Sequence, residues 1–147
     1  MRLREVMTHK VFCLQADQDI NSAIHFFAEH KITGAPVLEK KQVVGVLSEK
    51  DIFRALYPSV AEFYENPELW MEEVELEANA KSILNQPVKI YMSKNLICAT
   101  PDTPVMQAGS MMLAHRVHRI LVMDAEKLVG IVTRAEIFRN LFRLYSK

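Results

Sequence analysis

The chain overlays on itself. With an offset of 85, residues 6–56 lie over residues 91–141 without a gap, and twelve of these positions are identical. They are Met7/Met92, Cys13/Cys98, Asp17/Asp102, Ala23/Ala108, His30/His115, Val37/Val122, Val44/Val129, Gly45/Gly130, Ile52/Ile137, Phe53/Phe138, Arg54/Arg139 and Leu56/Leu141. Conservative pairs add to them, among them Ile32/Val117, Leu47/Val132, Ser48/Thr133 and Asp51/Glu136. A duplication of this length demands one supersecondary unit built twice, with both copies burying apolar faces. The organisation expected is a first repeat over 1–56, a helical insertion over 57–90, a second repeat over 91–141 and a helix end over 142–147. At 147 residues this suits one domain or two small ones packed together.

Each copy has the same grammar. VFCL and LICA are short strand candidates that follow MTHK and MSKN. Ile20, Ile24 and Phe27 recur at helical spacing, as do Val105, Ala108 and Met112 in the second copy. Thr103 before Pro104 has the form of an N-cap with proline at the first helical position. APVLE and ILVMD are buried-strand runs, and hairpins of about four turn residues lead into VVGVLS and LVGIVT. DIFRAL and EIFRNL open the closing helices. The fold class expected is α+β (mixed α/β), each repeat running β-α-β-β-α.

Bulk properties exclude several classes. Lys plus Arg and Asp plus Glu number 18 each, so no global field draws nucleic acid or an anionic membrane. Half the residues are apolar, and a chain of this size buries roughly 70% of its unfolded surface without staples. Two cysteines 85 residues apart make no disulfide framework. With no signal peptide and no long apolar run, the expectation is a soluble cytoplasmic protein with no membrane segment.

The stretches G-V-L-S-E-K-D-I and G-I-V-T-R-A-E-I then carry a resemblance. Together with M-T-x-x-V near the first start, Thr33-Gly34-Ala35-Pro36-Val37 and His118-Arg119-Ile120-Leu121-Val122, they resemble the G-h-h-S/T-x-x-D signature of cystathionine-β-synthase (CBS) domains. About 100 of the 147 residues are covered. The resemblance implies two CBS repeats packed as a pseudo-two-fold pair with two clefts, which in this family commonly bind AMP, ADP, ATP or adenosyl compounds.

In the family each cleft takes its S/T-x-x-D box from one copy and its base slot from the other. The first cleft implied here joins Ser48 and Asp51 with Leu96, Ile97 and Val117 for the base, and with His118 and Arg119 toward phosphate. The second joins Thr133 and Glu136 with Val11, Phe12, Ile32 and Thr33. A carboxylate suits ribose because it accepts from two hydroxyls at once, and a helix mouth offers N–H groups to phosphate. The second cleft departs twice from the pattern: Glu136 is one methylene longer than aspartate, and Thr33-Gly34 replaces the cationic pair. The first cleft is therefore preferred. Both boxes also read as helix-capping boxes, for which glutamate is the better acid.

Other residues invite blander readings. His115 and His118 lack the further ligands a metal site requires, so no metal is expected. Cys13 and Cys98, at equivalent strand positions, point to buried packing. Met106, Met111 and Met112 gather on one helix and suit a packed dimer interface.

The insertion is acidic. From Ala55 to Ala80 it holds seven Glu and no Lys or Arg. Pro67 should start a helix with Trp70, Val74 and Met71 as a narrow apolar stripe. The stretch 134–147 carries Arg134, Arg139, Arg143 and Lys147 against Glu136 alone, so it could meet the insertion in cis or across a dimer.

No nucleophile elbow, glycine-rich phosphate loop or metal constellation is present, so no enzyme and no catalytic residue are expected. The reading is an adenine-nucleotide-binding regulatory sensor, likewise expected to be a homodimer, that needs no cofactor and signals by conformational or assembly change. With no effector domain of its own, it would pass the signal to an unknown downstream protein. The alternatives are a ligand-free structural or dimerisation module, and a binder of S-adenosylmethionine or NAD.

Overall fold

Why the strands pair as they do follows from their burial. In the computed structural model, which describes residues 1–146, two compact units form, one over 12–94 and one over 1–11 with 95–147. The unit over 12–94 begins with a two-residue strand β1 (Leu14–Gln15), helix α2 (Ile20–His30), strands β2 (Gly34–Glu39) and β3 (Gln42–Ser48) and helix α3 (Glu49–Ala55). Helix α1 (Leu3–Val6) comes earlier in the chain and belongs to the other unit. That unit continues with β4 (Cys98–Ala99), α7 (Val105–His115), β5 (Arg119–Asp124), β6 (Lys127–Thr133) and α8 (Arg134–Tyr145). Between the two sets lie α4 (Val60–Glu65), a 3-10 turn (Pro67–Trp70), α5 (Glu73–Ile83) and α6 (Val88–Tyr91).

Each unit has a three-stranded sheet, ordered β1-β2-β3 in one and β4-β5-β6 in the other. The first pair is parallel and the second antiparallel in both. A register shift falls after Val37 in one sheet and after Val122 in the other. These valines are an identical pair of the repeat, so the bulge is duplicated too. Each core is apolar: Leu14, Ile20, Ala23, Phe27, Val37 and Leu47 in the unit over 12–94, and Val105, Ala108, Met112, Ile120, Val122 and Val132 in the other unit.

The compact units cut across the repeats. Leu3 is buried in the unit over 95–147, with its N–H on the Thr103 carbonyl. Its counterpart Val88 is buried in the unit over 12–94, with its N–H on the Gln18 carbonyl. The lead-in segment then runs beside the last strand: Thr8 exchanges both backbone hydrogen bonds with Ile131, and Ser93 does so with Val46. Gly45 and Gly130 permit this passage. A Cβ on Gly45 would stand 2.5 Å from Met92 Sδ and 2.9 Å from the Ser93 carbonyl oxygen. On Gly130 it would stand 2.6 Å from Met7 Sδ. The glycine of the signature thus makes room for the methionine that both repeats share.

Several local expectations are corrected. Ile24 is exposed, and Ala23 takes the core position beside Ile20 and Phe27, as its identical partner Ala108 does. Pro104 is the N-cap of α7, whereas Thr103 Oγ1 accepts from the Thr100 N–H at 3.1 Å. The hairpins turn on two residues, Lys40-Lys41 and Ala125-Glu126, all with positive φ. That geometry follows the strand twist and needs fewer residues than a four-residue loop. The strands at VFCL and LICA shrink to two residues each, and their buried positions are Leu14 and Ala99. Cys13 is half-buried and Cys98 exposed, so neither is core packing. The three methionines separate, with Met112 buried and Met106 exposed.

The insertion also differs. Pro67 starts only the 3-10 turn, and the stripe is not formed: Met71 and Val74 are exposed. Trp70 instead meets Phe63 at 4.7 Å and Tyr57 at 5.6 Å between ring centroids. Its indole Nε1 is buried and unpartnered. Lys147 lies outside the described residues. Among those described, no helix is long and apolar enough to cross a membrane.

Candidate functional site

Both boxes sit where a strand becomes a helix. Ser48 ends β3 and caps α3, with its Oγ accepting from the Asp51 N–H at 3.3 Å. Asp51 returns the bond: its Oδ2 accepts from the Ser48 N–H at 2.8 Å and from the Ser48 hydroxyl at 2.9 Å. Thr133 and Glu136 repeat this at the mouth of α8. Glu136 Oε2 accepts from the Thr133 N–H at 2.7 Å and its hydroxyl at 3.1 Å, and Thr133 Oγ1 accepts from the Glu136 N–H at 3.2 Å. Both boxes are therefore capping boxes in fact.

They differ at the second carboxylate oxygen. Glu136 Oε1 accepts from the Thr8 hydroxyl at 2.6 Å. Asp51 Oδ1 receives no hydrogen bond among the described residues. The extra methylene lets the glutamate reach the adjoining lead-in segment, where the equivalent residue in the other unit is Ser93. The sequence signal for Thr8 was available in the ungapped Thr8/Ser93 register, but reading the boxes alone missed it.

The helix mouths are partly filled from within. The Glu49 N–H donates to the Thr33 carbonyl at 2.8 Å, and the Arg134 N–H to the His118 carbonyl at 2.8 Å. Thr33 and His118 are repeat counterparts, so each unit closes its own helix mouth with the residue just before β2 or β5. Arg119 stands opposite Thr133 in the β5–β6 register.

The remaining candidates flank these elements. Leu96 and Ile97 precede β4, Val117 lies between α7 and β5, and all three are half-buried. Val11, Phe12 and Ile32 are half-buried, and Thr33 is exposed. Phe12 stacks on His30 with ring centroids 4.0 Å apart and meets Phe26 edge-on at 6.1 Å. One face of Phe12 is thus already covered by its own unit. The structure brings Phe12, Ile32, Thr33, Ser48 and Asp51 into one unit, and Val11, Leu96, Ile97, Val117, His118, Arg119, Thr133 and Glu136 into the other. Desolvation raises the thiols of Cys13, which is half-buried, and of Cys98, whose residue is exposed overall while its thiol is partly covered by neighbouring atoms, above their ordinary value, which keeps them neutral and poorly nucleophilic.

Known proteins resemble this chain in sequence and in fold. Protein MJ1426 of Methanocaldococcus jannaschii is 30% identical over 96% of this chain and 91% of its own length. Other relatives are longer, and the chain spans less than half of their length. CBSX2, solved in complex with AMP, is 23% identical, with 98% of each chain covered and a TM-score of 0.72. The CBS domain pair of MJ0100, solved with 5′-methylthioadenosine and S-adenosyl-L-methionine, is 18% identical, again with 98% of each chain covered and a TM-score of 0.72. These two structures establish the fold. Residues 3–58 and 88–143 each match the CBS domain family, and with the duplicated sheet, bulge and capping box in place, the chain belongs to that family as a tandem CBS pair.

Proposed function

We propose that this pair is a regulatory module that binds one adenine nucleotide through Ser48 and Asp51 and reports it by a conformational or assembly change. The observation that carries this reading is the unengaged Oδ1 of Asp51, set against Glu136, whose two oxygens are both taken. A carboxylate with one oxygen in the cap and one open can accept from a ribose hydroxyl while the helix stays capped. In the site proposed, Leu96, Ile97 and Val117 flank the base, and His118 and Arg119 stand toward phosphate. The site of Thr133 and Glu136 with Val11, Phe12, Ile32 and Thr33 is the weaker one, because its acid is engaged and it lacks cations.

Two related folds are solved with adenosine-bearing ligands, which supports adenosine as the shared element. The cations favour a phosphate over a sulfonium, since a guanidinium attracts phosphate and repels a positive sulfur. AMP, ADP and ATP are therefore the ligands to try before S-adenosylmethionine.

Calorimetric titration with AMP, ADP, ATP and S-adenosylmethionine tests the reading, using wild type, Asp51→Ala and Arg119→Ala. Binding of a nucleotide that is lost in Asp51→Ala supports it. No binding of any of the four, or binding indifferent to Asp51, rejects it in favour of a module whose boxes are caps alone.

A further inference from the structure

The first residues of the chain are fastened to the loop after β4. The Leu3 and Arg4 N–H groups donate to the Thr103 and Pro101 carbonyls, each at 3.0 Å, and the Arg4 guanidinium pairs with the Asp102 carboxylate. Further on, Met7 lies against Gly130, and Thr8 exchanges both backbone bonds with Ile131. The lead-in, this loop and the end of the β5–β6 hairpin together line a cavity of about 480 Å³. Every residue of its lining belongs to the one unit over 1–11 and 95–147.

The lining divides by chemistry. Met7, Pro101 and Val129 are half-buried and offer apolar surface. Arg4, His9, Asp102 and Asp124 supply one guanidinium, one imidazole and two carboxylates. Arg4 and Asp102 balance each other in their ion pair, which leaves the Asp124 carboxylate as the acid in excess. Lys127, opposite Asp124 in the hairpin register, is not part of the lining. An imidazole can accept from an ammonium as well as donate, and a methionine sulfur makes favourable contacts with aromatic rings.

This cavity stands apart from the capping box of its unit. Arg119 and Thr133 face each other at one end of the β5–β6 pair, and Asp124 and Lys127 at the other. Strand β5 runs six residues between these ends, or about 16 Å.

We infer that the cavity binds a small organic cation, a primary ammonium on an apolar body, with the ammonium on Asp124 and the body against Met7 and Val129. The charge excess selects the cation, and the thioether favours an aromatic body. The repeat supplies a contrast. In the unit over 12–94, Glu39 stands where Asp124 does, but Lys94 stands where His9 does, and its ammonium repels a cation. One such site per chain follows.

Calorimetric titration of the full chain with phenethylamine, phenethyl alcohol and phenylacetate tests this, since the three share one body under a cationic, a neutral and an anionic head. The amine should bind once per chain, and the other two about tenfold more weakly or not at all. Asp124→Asn should weaken the amine about tenfold, whereas Glu39→Gln should leave it at the wild-type value. With labelled methionine methyls, the amine should shift the Met7 signal and not that of Met92. The comparison of heads needs no substitution, so it decides even where Asp124→Asn disturbs the hairpin. No binding of the amine at millimolar concentration, equal binding of all three heads, or affinity indifferent to Asp124 overturns the inference.

Discussion

The Thr8 hydroxyl donates to Glu136 Oε1 at 2.6 Å, which ties the lead-in segment to the capping box of α8. Ser93 holds the equivalent place beside β3, fixed by the same two backbone bonds, yet no bond joins it to Asp51. The difference is one methylene in the acid. Two boxes that cap alike therefore differ in what they leave open to a ligand.

The first prediction is one of stoichiometry. Calorimetry should find about one nucleotide per chain, bound through Asp51. Glu136→Ala should lower stability but leave the nucleotide's thermal shift in place, whereas Asp51→Ala should remove the shift. At 100 times its dissociation constant a ligand adds about 2.7 kcal/mol by mass action, so the shift is easy to read. Two nucleotides per wild-type chain would contradict the assignment.

Thr8→Val separates the strut from its counterpart. It deletes a hydrogen bond to a charged acceptor and should cost about 1 kcal/mol in urea unfolding. Ser93→Ala deletes no bond to Asp51 and should stay within about 0.5 kcal/mol of wild type. Equal losses from the two would show that the Thr8–Glu136 bond is not the distinguishing element.

Much of this was legible from the offset of 85. The strand and helix runs, both capping boxes and the duplicated glycines follow from local pattern and repetition, because alternation and caps act over a few residues. The bulge after Val37 and Val122 and the passage of Met92 over Gly45 and of Met7 over Gly130 were not, since they depend on segments distant in sequence. Ile24 misled because it satisfies helical spacing as well as Ala23 does, and only packing decides which turns inward. Thr103 resembled a cap because Pro104 follows it, but the threonine closes its own turn with Thr100. Trp70 and Val74 share a helical spacing, yet the 3-10 turn places the indole against Phe63 and Tyr57 instead.

The hairpin turns predict a gain. Lys40, Lys41, Ala125 and Glu126 hold φ between 48 and 66°, a region that side chains with a Cβ resist. Two-residue turns with both central φ positive prefer Asn-Gly. Replacing Lys40-Lys41 by Asn-Gly should raise stability by about 1 kcal/mol, and Ala125-Glu126 should respond the same way. Thermal unfolding of the two variants and their combination reads the effect; a loss in both would mean that the lysine and glutamate side chains support the turns.

The thiols set a limit at alkaline pH. Burial raises both Cys13 and Cys98 from the ordinary 9.0, so between the unfolded and folded values the native chain holds more protons than the unfolded one. Stability from this source is complete below pH 9 and declines as pH climbs through the folded values. The fall should shrink in Cys13→Ser and in Cys98→Ser, measured by urea unfolding between neutral and alkaline pH. An unchanged slope in both variants would place the alkaline loss elsewhere.

Gly45→Ala probes the crossing that defines each unit. Its new Cβ would meet Met92 Sδ at 2.5 Å and the Ser93 carbonyl oxygen at 2.9 Å. The thioether can swing aside, but the carbonyl belongs to the paired backbone and cannot move without breaking the bond to Val46. Overpacking of this kind costs about 1–3 kcal/mol. Gly130→Ala should cost less, because its nearest backbone atom, the Thr8 carbonyl oxygen, is 3.2 Å away and Met7 can yield. Adding Met92→Ala to Gly45→Ala should recover only part of the loss, while Met7→Ala should recover most of it for Gly130→Ala. Full recovery in both double variants would show that the methionines, and not the lead-in backbone, are what the two glycines accommodate.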